Sequence, residues 1–271
     1  MTQIVHERIL SDPALSIDRA GDGEFLVFLH GIGGNRTNWT EQVRAAAPHF
    51  KAVAWDARGY GESDDYDGPL DFSDFARDLI RVLDHFGVEK AHLCGLSMGG
   101  RISQDFCALF PERVKTMTLV ATFTGFRNFS PEERQKFIDL RKKPLVEEGK
   151  EPKDIAPTVA KALIGPHATE EQYQQLVASM AALHKESYIK TVEATTMFDR
   201  TEELSKIAVP TQLIFGENDP LTTPEMGKTM ADRIPGCEFH VVPVVGHLVN
   251  LEAPERFNEL LLDFLLRHRD N

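Results

Sequence analysis

Short, continuous apolar runs recur along this chain, each followed by a stretch of helical periodicity, and that alternation limits what it can fold into. The runs are Phe25-Leu-Val-Phe-Leu29, Ala52-Val-Ala-Trp55, Ala91-His-Leu-Cys94, Thr116-Met-Thr-Leu-Val-Ala121, Gln212-Leu-Ile-Phe215 and Phe239-His-Val-Val242. A strand with one wet face alternates apolar and polar residues, whereas a continuous apolar run fits a strand covered on both sides. Helical patterns lie at 37–47, 71–86, 98–110 and Pro254–Arg267; in the second, Phe72, Phe75, Leu79, Val82, Leu83 and Phe86 recur at helical steps and Gly87 supplies a stop. Pro111 ends the third. Two early segments, 4–10 and 14–19, read as an antiparallel hairpin. The whole predicts an α/β protein with a mostly parallel, eight-stranded sheet and helices on both faces.

One segment breaks the rhythm. Between residues 126 and 199 no strand pattern appears, and the helix starts are marked by capping boxes, Ser130-Pro-Glu-Glu133 and Thr169-Glu-Glu-Gln172. Such a block cannot join a strand–helix alternation, so it reads as an inserted helical cap over 125–200, with residues 1–124 and 201–271 forming the core domain. A length of 271 residues has room for one α/β unit plus such an insertion.

Composition excludes several classes of partner. Thirty Lys+Arg against forty-two Asp+Glu give a formal net charge of −12, which opposes nucleic acid and anionic membranes. No apolar stretch approaches the roughly 20 residues of a membrane-spanning helix, and the N-terminus lacks the basic-then-apolar pattern of a secretory signal. Cys94, Cys107 and Cys237 are odd in number and scattered, which points to reduced thiols and a cytoplasmic setting. Two sequons, at Asn35 and Asn38, are therefore read as coincidence. No metal or cofactor motif is recognised, and the oligomeric state is left open, a homo-oligomer included.

The chemistry concentrates at Gly95-Leu-Ser97-Met-Gly-Gly100, between an apolar run and a helix. The G-x-S-x-G pattern alone arises by chance in roughly one chain of this length in ten; a strand that turns at once into a helix gives it meaning, because the turn projects the hydroxyl above the sheet. A serine needs a base. His247, in the loop after the last strand and preceded by Gly246, is the candidate among the ten histidines. The base needs an orienting carboxylate. Glu217 and Asp219 compete in Phe215-Gly-Glu-Asn-Asp219; Asp219, farther out on the loop, is preferred.

A developing oxyanion requires two preorganised N–H donors. The loop His30-Gly-Ile32-Gly-Gly34 lets backbone approach a ligand closely, and the amides of Ile32 and Met98 are the expected donors. It lacks the spacing of a dinucleotide fingerprint and the Lys-Ser/Thr of a phosphate loop. His30 reads as a loop brace, and Arg58 in Asp56-Ala-Arg58-Gly-Tyr-Gly61 as a tie to backbone carbonyls. Trp39, Phe123, Phe126, Phe129 and Leu248 are candidates to line an apolar acyl pocket. Arg141-Lys-Lys143 offers charge to a carboxylate, but on a helix such a run reads as a solvated face.

Taken together, the His30-Gly loop, Asp56-Ala-Arg58-Gly-Tyr-Gly, Gly95-Leu-Ser97-Met-Gly-Gly, Gly216-Glu-Asn-Asp219 and Gly246-His247 resemble the α/β-hydrolase superfamily. The elbow is most similar to those of 3-oxoadipate enol-lactone hydrolases and related small esterases. The resemblance implies a Ser97–Asp219–His247 triad, no cofactor, and a cap over the site. Ring-cleavage carbon–carbon hydrolases are also similar, but they tend to carry Ser-Gly-Pro-Gly in the oxyanion loop, Asn before the nucleophile and Trp after the histidine; here stand Ile32-Gly-Gly, Leu96 and Leu248. An aspartate nucleophile of the dehalogenase kind is excluded by Ser97. The expected activity is hydrolysis of a small ester or (enol-)lactone. The rivals are carbon–carbon hydrolysis or perhydrolysis on the same triad, and a non-enzymatic small-molecule sensor.

Overall fold

A computed structural model describes residues 3–269, so the first two and last two residues of the core segments lie outside it. The strands are β1 (Val5–Ile9), β2 (Leu15–Ala20), β3 (Glu24–Leu29), β4 (Phe50–Trp55), β5 (Ala91–Leu96), β6 (Val114–Val120), β7 (Thr211–Gly216) and β8 (Glu238–Val242). They form one sheet in the order β1-β2-β4-β3-β5-β6-β7-β8. β1 and β2 form the antiparallel hairpin, β2 joins β4 antiparallel, and every later pairing is parallel. Every residue of β5 and β7 is buried, which is the reason these runs are mostly apolar without alternation, with the polar His92 and Gln212 hydrogen-bonded to β6 threonines.

The helices are α1 (Thr40–Ala46), α2 (Asp74–His85), α3 (Met98–Leu109), α4 (Pro131–Val146), α5 (Pro152–Leu163), α6 (Glu170–Ala181), α7 (Lys185–Met197), α8 (Pro224–Ala231), the single turn α9 (Val249–Glu252) and α10 (Pro254–Arg267). α1 packs with α10 and α2 with α3, covering the sheet. α2 starts three residues later than its periodicity suggests, because Asp71 is used in a preceding turn that accepts the Asp74 amide at 2.8 Å. The expected helix at 37–47 divides into a 3-10 turn, Arg36–Trp39, and α1.

Four helices, α4 to α7, fill the chain between β6 and β7. Both anticipated capping boxes are present, at Ser130 and at Thr169. The two ends of the cap are tied where they leave the core: the Phe126 amide donates to the Phe198 carbonyl (3.3 Å) and the Arg200 amide to the Thr124 carbonyl (3.0 Å). Among the described residues no helix is long and apolar enough to cross a membrane. All three cysteines are free.

Because β4 lies on one side of β3 and β5 on the other, the strand order reverses at β3. In open parallel sheets the crevice at such a point, past the C-terminal strand ends, is where ligands bind.

Candidate active site

The ends of β3, β5, β7 and β8 deliver the candidate residues to one place. Ser97 follows β5 directly, at φ 54° and ψ −111°, a backbone region that non-glycine residues rarely occupy. The strain is held by the surroundings: its amide donates to the Val120 carbonyl (2.8 Å), and its carbonyl accepts from the Arg101 amide (3.2 Å) and the Thr122 hydroxyl (2.7 Å). The flanking glycines are required sterically. A Cβ on Gly95 would collide with the Gly99 carbonyl, and one on Gly99 with the carbonyl of Leu29.

Asp219 and His247 are both buried and are joined by a 2.7 Å bond between Asp219 Oδ2 and His247 Nδ1. That bond places the proton on Nδ1 and leaves Nε2 as the acceptor. Asp219 also receives the Leu221 amide (2.8 Å), the Thr222 amide (3.0 Å) and the Thr222 hydroxyl (2.6 Å). Burial alone would raise its carboxyl, but the opposing charge and hydrogen bond of His247, together with the Thr222 bonds, hold it below the ordinary carboxylate value. Thr222 was not singled out in the sequence; the signal for it is the Asp-x-x-Thr spacing of a self-capped turn. Glu217, the competing acid, points away and accepts the Val244 amide at 2.9 Å.

Ser97 and His247 line the same cavity, although no hydrogen bond joins them among the described residues. Such contacts are commonly long without substrate and tighten when it is bound. The cavity has two lobes of about 50 and 90 Å³ that share Ile32, Ser97, Arg141 and Leu221. Each holds a few waters or a short chain, and neither accommodates a long fatty acyl group in this state.

The loop after β3 lies against the serine: a Cβ on Gly31 would sit 3.4 Å from Ser97 Cβ. Ile32 and Met98 both line the second lobe, and their amides have no acceptor among the described residues. His30 braces this loop, with Nδ1 on the Gly31 carbonyl (2.8 Å) and Nε2 accepting the Ala57 amide (3.1 Å). Its burial lowers its pKa and keeps the ring neutral.

Of the five pocket candidates, Phe123, Phe126 and Phe129 line one lobe and Leu248 the other. Trp39 lines neither. It is fully buried, stacked on Phe28 at 5.0 Å and tilted against Phe257 at 6.0 Å, because the 3-10 turn swings its ring into the core. Asn35 and Asn38, the two sequon positions, are buried and cap that turn. Arg58 does not reach backbone carbonyls; it forms a forked pair with Asp78 on α2, both bonds at 2.6 Å. Cap residues that no motif marked, Val159, Leu163, Leu176, Met180 and Tyr188, complete the first lobe.

Glu252 binds the cap to the histidine loop. Its Oε2 accepts the amides of Gly165 (2.9 Å) and Gly246 (3.0 Å), and Oε1 that of Leu248 (3.1 Å). The His247 amide itself donates to the cap carbonyl of Leu163 at 3.0 Å.

A family model described as the alpha/beta hydrolase fold matches residues 24–254. The chain is 33% identical over 261 residues to a 2-hydroxy-6-oxononadienedioate/2-hydroxy-6-oxononatrienedioate hydrolase from Paraburkholderia phymatum, covering 92% of this chain and 89% of that protein. It is 29% identical to 3-oxoadipate enol-lactonase 2 of Acinetobacter baylyi, over 88% of this chain and 86% of that one. Among solved structures, a malate-bound thermophilic esterase from Thermogutta terrifontis is similar with a TM-score of 0.88 and 26% identity, over 98% of this chain and 99% of the other.

Proposed function

The chain belongs to the α/β-hydrolase family, and on that premise we propose that it is a serine hydrolase cleaving a small carboxylic ester or lactone through an acyl-enzyme. One observation carries the reading: the buried Asp219–His247 pair opens onto the same cavity as Ser97, which is held in a strained turn at the head of α3. In the first step the Ser97 oxygen bonds to the carbonyl carbon as its proton passes to His247 Nε2. The carbonyl oxygen takes up negative charge and accepts the Ile32 and Met98 amides, each worth about 10²–10³-fold in rate at such sites. Collapse of the adduct breaks the carbon–oxygen bond, and His247 returns the proton to the leaving alkoxide. Water then repeats the sequence on the acyl-serine. Asp219, kept ionised, fixes the ring orientation and balances the imidazolium.

A second reading, carbon–carbon hydrolysis, is favoured by the 33% identical relative. Leu96 and Leu248 weigh against it, since they put apolar groups beside the serine and the histidine. Its substrate would be a dienone in place of the ester. The partner in either case is a small molecule.

The test is Ser97→Ala assayed against short esters, lactones, enol-lactones, carbamates and ring-cleavage dienones. We expect loss of turnover by about 10⁴-fold or more with an unchanged circular dichroism spectrum. Activity near the parent level in that variant removes Ser97 as nucleophile, and turnover of dienones alone selects the second reading.

A further inference from the structure

The three basic residues Arg141, Lys142 and Lys143 do not share one environment. Lys142 pairs with Glu193 and Lys143 with Asp139 (2.8 Å), both on the outside of the cap. Arg141 turns inward, on the same side of α4 as Phe137 and Leu145, and lines both lobes of the cavity. Its guanidinium lies 3.6 Å over the Phe137 ring and donates to the Phe137 carbonyl at 3.1 Å. Burial lowers its pKa, and the acidic group that counteracts this is the Tyr188 phenol, not a carboxylate.

No Asp or Glu lines either lobe, among the described residues. The charged side chains there are Arg141 and Arg101. Arg101 is committed to the fold: it donates to the Thr195 hydroxyl and to the carbonyls of Thr195 (2.6 Å) and Phe198 (3.3 Å), and its guanidinium has four phenylalanine rings within 5.4 Å. Arg141 has one carbonyl and one ring as partners among the described residues, and it lines both lobes. A cation desolvated without a counter-charge is costly. The cost is offset when a ligand brings the charge, and a planar fork suits a carboxylate held by two parallel bonds. The chain's net charge of −12 makes this cationic lining a departure from the rest of the molecule.

We propose that Arg141 anchors a carboxylate carried by the substrate, so that the preferred class is a short anionic ester or lactone, such as the half-ester of a dicarboxylic acid. Arg141 is then a specificity residue, and the proposal rests on the acyl-hydrolase reading above. The shared lining of Ile32, Ser97, Arg141 and Leu221 puts the anchor at the junction of the lobes, where a carboxylate a few bonds from the reacting carbonyl reaches it.

The experiment compares mono-4-nitrophenyl glutarate with its primary amide, which has the same shape and no charge. The parent protein is expected to prefer the anion by tenfold or more in kcat/KM, and Arg141→Gln to reduce that ratio by about tenfold to a hundredfold, mainly through KM. Lys142→Gln, on the outer face, keeps the ratio. A purely structural role for Arg141 would lower both substrates together and leave the ratio intact, which overturns the proposal. The anchor is also measured without turnover: Ser97→Ala is expected to bind glutarate over glutaramide by calorimetry, and Ser97→Ala/Arg141→Gln to lose that preference. Equal binding of the two in Ser97→Ala overturns the anchor while leaving the nucleophile untouched, whereas undiminished turnover by Ser97→Ala defeats the Ser97 acyl-enzyme reading and not the anion site.

Discussion

The sheet and the cap meet at one cavity and treat their polar groups in opposite ways. On the sheet side the supporting groups are partnered within the chain: Asp219 accepts four hydrogen bonds, His30 uses both ring nitrogens, and Thr122 holds the Ser97 carbonyl, while the Ile32 and Met98 amides and the Asn38 side-chain nitrogen stay open among the described residues. On the cap side the lining is apolar apart from Thr195, Tyr188 and Arg141, and among those residues Arg141 spends a single hydrogen bond within the chain, on the Phe137 carbonyl. The supporting groups are satisfied internally, and the groups proposed to meet a ligand are left open. On the reading proposed above, reaction type belongs to the sheet edge and selectivity to the insertion.

The comparison is tested most severely on the sheet side. Asp219→Asn removes the acceptor that fixes the His247 tautomer, and kcat is expected to fall by about 10⁴-fold for every substrate alike. A loss that depended strongly on the substrate would blur the division. Glu252→Gln acts at the seam. An amide cannot accept from all three of the Gly165, Gly246 and Leu248 N–H groups without turning its own N–H₂ toward one of them. The cost is about 1–3 kcal/mol, which calorimetry would read as a fall of a few degrees in Tm at this size, with kcat lower by severalfold. An unchanged Tm would mean that the cap is held elsewhere.

The effect with least bearing on activity is in pH. His30 and His92 are buried in the sheet half, and desolvation sets both below the ordinary histidine value of 6.5. On acidification the unfolded chain takes up protons that the folded one refuses, so stability is lost as pH falls below 6.5, toward the lower folded values. Each such ring contributes at most about 1.4 kcal/mol per pH unit. Calorimetry between pH 7.5 and 5 should show Tm falling by several degrees, and less in His30→Gln. Equal slopes would remove His30 from the account.

The same division explains what was readable in the sequence. β5, β7 and α10 stand out because a doubly covered strand is mostly apolar without alternation and because Pro254–Arg267 has a proline start and clean periodicity. Ser97, Asp219 and His247 each follow a strand end, so strand prediction locates them and the structure supplies their distances. The cap was legible only as helices. Which face of each turns inward depends on packing between α4 and α7, and this left Arg141 indistinguishable from Lys142 and Lys143 as a run of charges. The helical phase held the clue, since Phe137 and Leu145 lie four residues on either side of Arg141. Trp39 was misplaced for a similar reason: an aromatic after a glycine loop looks like a pocket wall until its place at the end of a 3-10 turn sends it to Phe28.

The glutamate at the seam has a consequence for how such an enzyme can be re-engineered or can diverge. A foreign lid grafted between β6 and β7 would arrive without Gly165, whose place admits no larger residue because a Cβ there would press on Glu252 and on the Gly246 amide. The graft would then bring a new lining and a slackened His247 loop together. A workable exchange must carry the glycine across with its helices, so the smallest transferable unit is the lid plus its latch.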